Sequence, residues 1–382
     1  MTIHTYAFPT TIHFGPGARH RLPAVLDSAH ASRPLIVTDE GVAALPLFAD
    51  LHTIASSAGA EVGTFSGVVG NPIKSQVTAG VEAYRNHNAD AIIALGGGAA
   101  MDVAKAVALM VHHPGDLFDY EDGKPDALPV DQPIPFMVAL PTTAGTGSEV
   151  GRSSVIGVDD TKVKKIIFDP RLLPNIALAD PELTLSLPPA ITAATGMDAL
   201  AHNVEAYLSK GFHPMADGIA LEGIRLVASS LRTCVHKGDD LQARGELMIA
   251  SLMGAVAFQK GLGVTHSLAH PLSTVCDLHH GLANGIMLPY AMAFNAGGVG
   301  ERFAPMAIAA GIEQHDADGF IGWLKALRRD IDIPDQLGDV GVTEDHLDAL
   351  VTLAVDDVCH SCNPIAVSAE DFRRMYREAL GQ

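Results

Sequence analysis

The chain has 382 residues, 48% of them hydrophobic, and a formal net charge of −19 from 25 basic and 44 acidic side chains. At roughly 100–200 residues per domain, that length predicts two domains. The acidic balance, with no run of Lys and Arg, argues against a polyanion-binding surface, which needs a basic patch to displace counterions. No segment approaches the roughly 20 uninterrupted apolar residues of a membrane span, and even Val103–Val111 is broken by Lys105. The Met1–Thr5 stretch lacks the basic and apolar regions of a secretory signal. A soluble cytoplasmic protein is therefore expected.

In the first half, short apolar runs alternate with helical patterns. Pro34–Asp39 is a β-rich run ending in a carboxylate, Asp90–Leu95 a second run stopped by Gly96-Gly97-Gly98, and Pro135–Leu140 a third stopped by Pro141. Continuous apolar runs of this length suit strands buried on both faces. Gln76–His87 and Ala99–His112 read as helices between them, which predicts a parallel sheet covered by helices. After Pro188-Pro189 the spacing becomes helical throughout, over Ala190–Leu208, Met215–Val235, Asp240–Gln259 and Thr343–Val355. Residues 1–185 are thus expected to form an α/β domain and residues 186–382 an all-α domain, with a cleft between them as a common place for a ligand.

Chemistry-bearing residues fall into three groups. Asp39, at the end of a strand, suits either a ribose 2′-hydroxyl or the N-cap of a following helix. Gly96-Gly97-Gly98-Ala99-Ala100-Met101-Asp102 follows a strand and opens a helix, where backbone amides approach a phosphate; a tight turn is the alternative. Pro141-Thr142-Thr143-Ala144-Gly145-Thr146-Gly147-Ser148-Glu149 also follows a strand, and its hydroxyls suit a pyrophosphate or ribose, or simply a solvated loop. In the second half, Asp198 and His202 are four apart, as are His266 and His270, and His279-His280-Gly281 follows. On a helix that step puts both side chains on one face. The set reads as a metal site or as core histidines; as a site, one carboxylate with imidazoles suits Fe(II) or Zn(II) better than Mg or Ca. Four cysteines are too few for a disulfide framework. Cys359-His360-Ser361-Cys362 has the spacing of a redox pair or half a zinc site, but no second pair exists, and reduced structural thiols are expected.

At these positions the chain resembles the iron-containing (group III) alcohol dehydrogenases over nearly its whole length. Gly96–Lys105 is similar to that family's G-G-G-S-x-x-D-x-x-K, with Ala99 in place of the usual Ser, and Pro141–Val150 to its P-T-T-x-G-T-G-S-E-V. Asp180-Pro181-Glu182-Leu183-Thr184, Ala194–Ala199 and the spacing from His266 through His270-Pro271-Leu272 to His280-Gly281 also match. The 4-hydroxybutyrate dehydrogenase-like group is the nearest subtype, on Ala216–Leu221 and Ala257–Gly263, and Asn363-Pro364 sits where the family carries an Asn-Pro.

The resemblance implies Asp198, His202, His266 and His280 as metal ligands, with His270 beside the nicotinamide and substrate. It implies NAD bound by Asp39, Gly96, Gly97, Gly98, Ala99, Asp102, Thr142, Thr143, Thr146 and Lys164. It further implies hydride transfer between a primary alcohol and NAD, Fe(II) or alternatively Zn(II) as Lewis acid, Asp198 and His270 as the catalytic pair, and at least a homodimer. Arg152 is expected either to bind the carboxylate of a short ω-hydroxy acid or semialdehyde, with Lys260 as a weaker candidate and Phe258 also in the substrate set, or to pair with a nearby Asp or Glu for structure. A rival reading is a dehydroquinate synthase-like lyase, whose group usually carries a Glu-His-His metal set.

Overall fold

The computed structural model describes residues 6–8, 10–57 and 59–382, so the Met1–Thr5 stretch lies outside the described residues. Two compact units form. One comprises residues 10–143 and 147–184; the other comprises residues 185–382 with 6–8 and 144–146. The expected unbroken 1–185 domain is therefore interrupted within the Thr-rich loop.

The α/β unit carries strands β1 (Thr11–Phe14), β2 (Pro34–Asp39), β3 (Gly63–Val68), β4 (Ala91–Gly96), β5 (Phe136–Pro141), β6 (Ser153–Gly157), β7 (Lys164–Phe168) and β8 (Ile176–Ala179). Its helices are α1 (Leu22–Ser28), α2 (Glu40–Ala43), α3 (Pro46–Ser56), α4 (Lys74–His87) and α5 (Gly98–Met110). Six strands make an all-parallel sheet in the order β1-β8-β5-β4-β2-β3, and β6 and β7 form a separate antiparallel ribbon. Alternate residues of the central strands enter different cores. Leu35, Val37, Ile92, Ala94 and Met137 pack with α4 and α5, whereas Ile36, Ile93, Leu95, Val138 and Leu140 pack with α1 and α3. Burial on both faces is why these strands read as unbroken apolar runs. Register places the ends of the three strands side by side, with Val37 beside Ala94 and Gly96 beside Pro141. Ligands of open α/β sheets bind at this carboxyl edge.

The helical unit contains α6 (Pro189–Leu208), α7 (Pro214–His236), α8 (Leu241–Ala257), α9 (Val264–Cys276), α10 (His280–Val299), α11 (Phe303–Ala309), α12 (Ala317–Asp330), α13 (Leu347–Asp356) and α14 (Ala369–Ala379). Helix α6 is its axis, buried at every residue from Thr192 to Leu208. Close neighbours meet it through glycine: a Cβ on Gly281 would lie 2.2 Å from the Ala194 carbonyl oxygen, and one on Gly223 2.0 Å from the Asn203 side chain. Among the described residues no single helix is long and apolar enough to cross a membrane.

One polar cluster sits inside the α/β core. Lys105 of α5, 1% exposed, donates to Ser148 Oγ at 2.8 Å and to the Ser153 carbonyl at 2.9 Å. Ser148 donates on to Asp102 Oδ1 at 2.7 Å, and Asp102 also accepts the Val155 amide at 2.9 Å. Beside them Glu149 is buried, with no hydrogen-bond partner at Oε1. Burial pushes its carboxyl up to about 7 against the pull of Lys105, and burial lowers Lys105 to about 8. A carboxyl whose folded value exceeds its unfolded value binds protons more tightly when folded. Its stabilisation is complete below the unfolded value and is lost as pH rises through about 7. Glutamine at this site mimics the protonated form at every pH. The stability of Glu149→Gln relative to the unsubstituted protein should therefore grow between pH 5 and pH 8, by at most roughly 3 kcal/mol. Parallel thermal-unfolding curves for the two proteins across that range would contradict this account of the cluster.

Candidate metal centre and nucleotide site

Helix α6 supplies two of the expected ligands one turn apart, because Asp198 and His202 are i and i+4 on a buried helix. Helix α9 adds His266 and the start of α10 adds His280. The three imidazole Nε2 atoms face one oxygen: Asp198 Oδ1 lies 3.9 Å from His202, 3.8 Å from His266 and 3.5 Å from His280. Ligands bonded at about 2.1 Å around a tetrahedral ion would stand about 3.4 Å apart, so the spacing suits an ion among them with little movement.

Each ring is aimed by a partner behind it. The Glu205 carboxylate meets His266 Nδ1 at 2.6 Å, and the Gly145 carbonyl meets His202 Nδ1 at 3.3 Å. With the proton on Nδ1 in each case, Nε2 is left to bind. Burial holds His202 down at about 4, as a neutral ring. Burial alone would lower His266, but the hydrogen bond and charge of Glu205, with Asp198, more than offset it. The buried carboxylates thus attract a positive charge to this cluster. Asn284 donates to Asp198 Oδ1 at 2.7 Å and is 3.2 Å from His280 Nε2, while its own Oδ1 is buried without a partner. One carboxylate oxygen faced by three imidazole Nε2 atoms fits a divalent transition-metal ion.

Sequence reasoning missed Glu205, Asn284 and Asp357. Glu205 is three residues beyond His202 on the same helix, and Asn284 is one turn beyond His280. Both spacings were available as signals. Asp357, 87 residues from His270, accepts at 2.7 Å from His270 Nδ1, and no local pattern announces that pair. The His270 ring stacks on His280 with centroids 5.2 Å apart. Phe258 lies 5.1 Å from the ring of His202, one of the candidate ligands. Lys260 departs from expectation: its buried ammonium donates to the Tyr207 carbonyl at 2.8 Å and pairs with Asp217. The charge offered to a substrate carboxylate is already neutralised by a protein one.

In the α/β unit the cofactor candidates gather at the carboxyl edge of the sheet. Asp39 Oδ1 caps α2 by accepting the Val42 amide at 2.8 Å, while its Oδ2 lies 3.0 Å from where a Cβ on Gly96 would sit. The N-cap alternative is therefore realised with the carboxylate still on the β4 edge. Gly96 has φ +142°, a left-handed conformation that favours glycine. Thr142 donates its amide to the Gly96 carbonyl at 3.0 Å, and the Thr143 side chain faces Gly97, the N-cap of α5. Gly98 and Ala99 form the first turn of α5, whose amides suit a phosphate. Asp102 is engaged by the buried cluster, and the charge of Lys164, at the start of β7, acts on it. Thr146 groups with the helical unit, and Thr142 and Thr143 with the α/β unit. Arg152 stacks on Phe168 at 5.2 Å and forms no ion pair among the described residues.

A family model described as iron-containing alcohol dehydrogenase matches residues 9–181, and one described as the C-terminal region of the Fe-containing alcohol dehydrogenase family matches residues 192–380. The chain is 37% identical to a 4-hydroxybutyrate dehydrogenase of Cupriavidus necator, covering 97% of this chain and 98% of that one. It is 36% identical to a 1,3-propanediol dehydrogenase of Klebsiella pneumoniae, covering 98% of each. Among solved structures, a sulfoacetaldehyde reductase of Bifidobacterium kashiwanohense in complex with NAD+ superposes with a TM-score of 0.91 at 30% identity, over all of both chains. The chain belongs to the iron-containing alcohol dehydrogenase family and is an oxidoreductase of that class.

Proposed function

We propose that the chain interconverts a short alcohol and its aldehyde with NAD, and that the preferred substrate carries a terminal anion. The observation that carries the reading is the convergence of three imidazole Nε2 atoms on Asp198 Oδ1, two of the rings held in the binding tautomer from behind. Asp198, His202, His266 and His280 would hold Fe(II), or Zn(II), which when bound supplies Lewis acidity toward the alcohol or carbonyl oxygen. His270, tied to Asp357 through Nδ1, presents its remaining nitrogen as a proton relay. Asp39 on the β2 edge favours NAD over NADP, because a second negative charge there repels a 2′-phosphate. The dehydroquinate synthase-like alternative is disfavoured by the Asp-and-three-His set, and net consumption of NADH by an aldehyde separates the two. A cytoplasmic homodimer or larger homo-oligomer completes the proposal, resting on the family resemblance.

The anion preference rests on Arg152. Its guanidinium has an aromatic platform in Phe168 but no carboxylate partner among the described residues, so it keeps donors for a ligand. The 4-hydroxybutyrate dehydrogenase and the sulfoacetaldehyde reductase among the relatives are named for anionic compounds.

Two measurements test the proposal. His280→Ala, purified without added metal, should carry far less iron or zinc by elemental analysis and lose turnover; unchanged metal content removes His280 from the ligand set. For the substrate, succinate semialdehyde is compared with butanal. Arg152→Leu should lose kcat/KM mainly for the acid, by about 1.5–3 kcal/mol, the worth of a hydrogen bond to a charged group. Equal losses for both aldehydes would assign Arg152 a structural role instead.

A further inference from the structure

The Cys359-x-x-Cys362 motif, unexplained by the reading above, does not form a pair. The Cys362 side chain turns toward Gly261, where a Cβ would meet its Sγ at 2.7 Å. Cys359 faces elsewhere, with its thiol on Asp357. That same carboxylate receives His270 Nδ1 at 2.7 Å, and one donor atom from each of His270, Asp357 and Cys359 lies within 4.8 Å of the other two. The second half of a zinc site, which the sequence around the cysteines lacks, is thus present in space, supplied by α9 and by the residue just beyond α13.

We propose that His270, Asp357 and Cys359 form a second, inhibitory cation site for thiophilic divalent ions, Zn(II) foremost. Three arguments support it. The donor set is imidazole, carboxylate and thiol, which suits zinc, and the first two give tetrahedral separations after an opening of under about 1 Å. The charges balance, because a thiolate and a carboxylate neutralise a dication. The residues are partly exposed, with the His270 and Asp357 side chains at 19% and 13%, so an ion can enter. Two protons are accounted for on binding: the thiol proton leaves to solvent as the sulfur–metal bond forms, and the Nδ1 proton that His270 shares with Asp357 is given up as the nitrogen–metal bond forms, with Nε2 taking one up from solvent, so that one proton is released net and no electrons move. His270 stacks on His280, so an ion here is repelled by one in the first site and binds more weakly. Once bound it would occupy the imidazole proposed as proton relay, so that the inhibition rests on the function proposed above while the binding does not.

The test uses the iron-loaded enzyme under anaerobic conditions. Titration with Co(II) should give the near-ultraviolet thiolate-to-cobalt absorption, which the first site, lacking sulfur, does not produce. Cys359→Ser should abolish that absorption while keeping the activity measured without added metal. Added Zn(II) should inhibit the unsubstituted enzyme, and Cys359→Ser should raise the half-inhibiting concentration at least about tenfold, given that loss of even an outer partner costs 10–100-fold in affinity. Cys359→Ala serves the same comparison should the serine variant misfold. Absence of the cobalt–thiolate band in the unsubstituted protein overturns the site. A band with no zinc inhibition leaves the cation site standing and contradicts the relay role of His270. Inhibition equal in both proteins places zinc in the first site and refutes the proposal.

Discussion

The helical unit is organised around one buried carboxylate. Glu205 accepts the amides of Gly263 and Thr265 at 3.0 and 2.5 Å and meets His266 Nδ1 at 2.6 Å. The first two contacts satisfy donors at the start of α9, where Gly263 offers no side chain for capping. The third sets the ring that faces Asp198. One side chain therefore fixes both where α9 begins and which nitrogen His266 presents. Burial raises the cost of ionising Glu205, but the His266 hydrogen bond and charge outweigh it, so the carboxylate stays charged without solvent. Losing one partner would leave an uncompensated buried charge, which is strongly destabilising.

The ends of α9 and α10 are held by amides. Asn363 accepts the Val264 amide at 3.2 Å and exchanges side-chain hydrogen bonds with Asn295 of α10. The Asn-Pro at this position thus links the C-terminal segment to the helices bearing His266 and His280. Asp357 does the same for His270, and Ser267 Oγ donates to its other oxygen at 2.7 Å. Three candidate ligands, Asp198, His202 and His266, are positioned by short polar contacts from outside their own helices.

Legibility followed burial and spacing. Strands β2, β4 and β5 were readable because both faces enter apolar cores. The edge strands β1 and β3 lack that signature: nearly all their positions are exposed or half-buried, Val68 alone being buried, and β3 contains two glycines. Strand β8 is apolar but only four residues long, too short to distinguish from a loop. The i, i+4 pairs exposed the metal-facing residues, since a helix converts that spacing into proximity. Partners such as Asp357 had no such signal, because only the tertiary fold brings residues 270 and 357 together. Lys260 shows the opposite error: a cation beside a candidate ligand loop reads as a binding group until Asp217 is seen to neutralise it.

Placing Asp198, His202 and Glu205 on one helix has a consequence for how the protein is loaded. Helix α6 is buried along nearly its whole length and holds its shape by packing, not by the ion. Zinc fingers are the contrast, since their chains fold only when metal arrives. Here two of the four candidate ligands, Asp198 and His202, stand at a separation fixed by a helical turn. Removal of an ion held by these residues would then cost chemistry without costing the packing of α6. An ion taken up by such a site would be chosen by supply and exchange after folding, in contrast to a zinc finger.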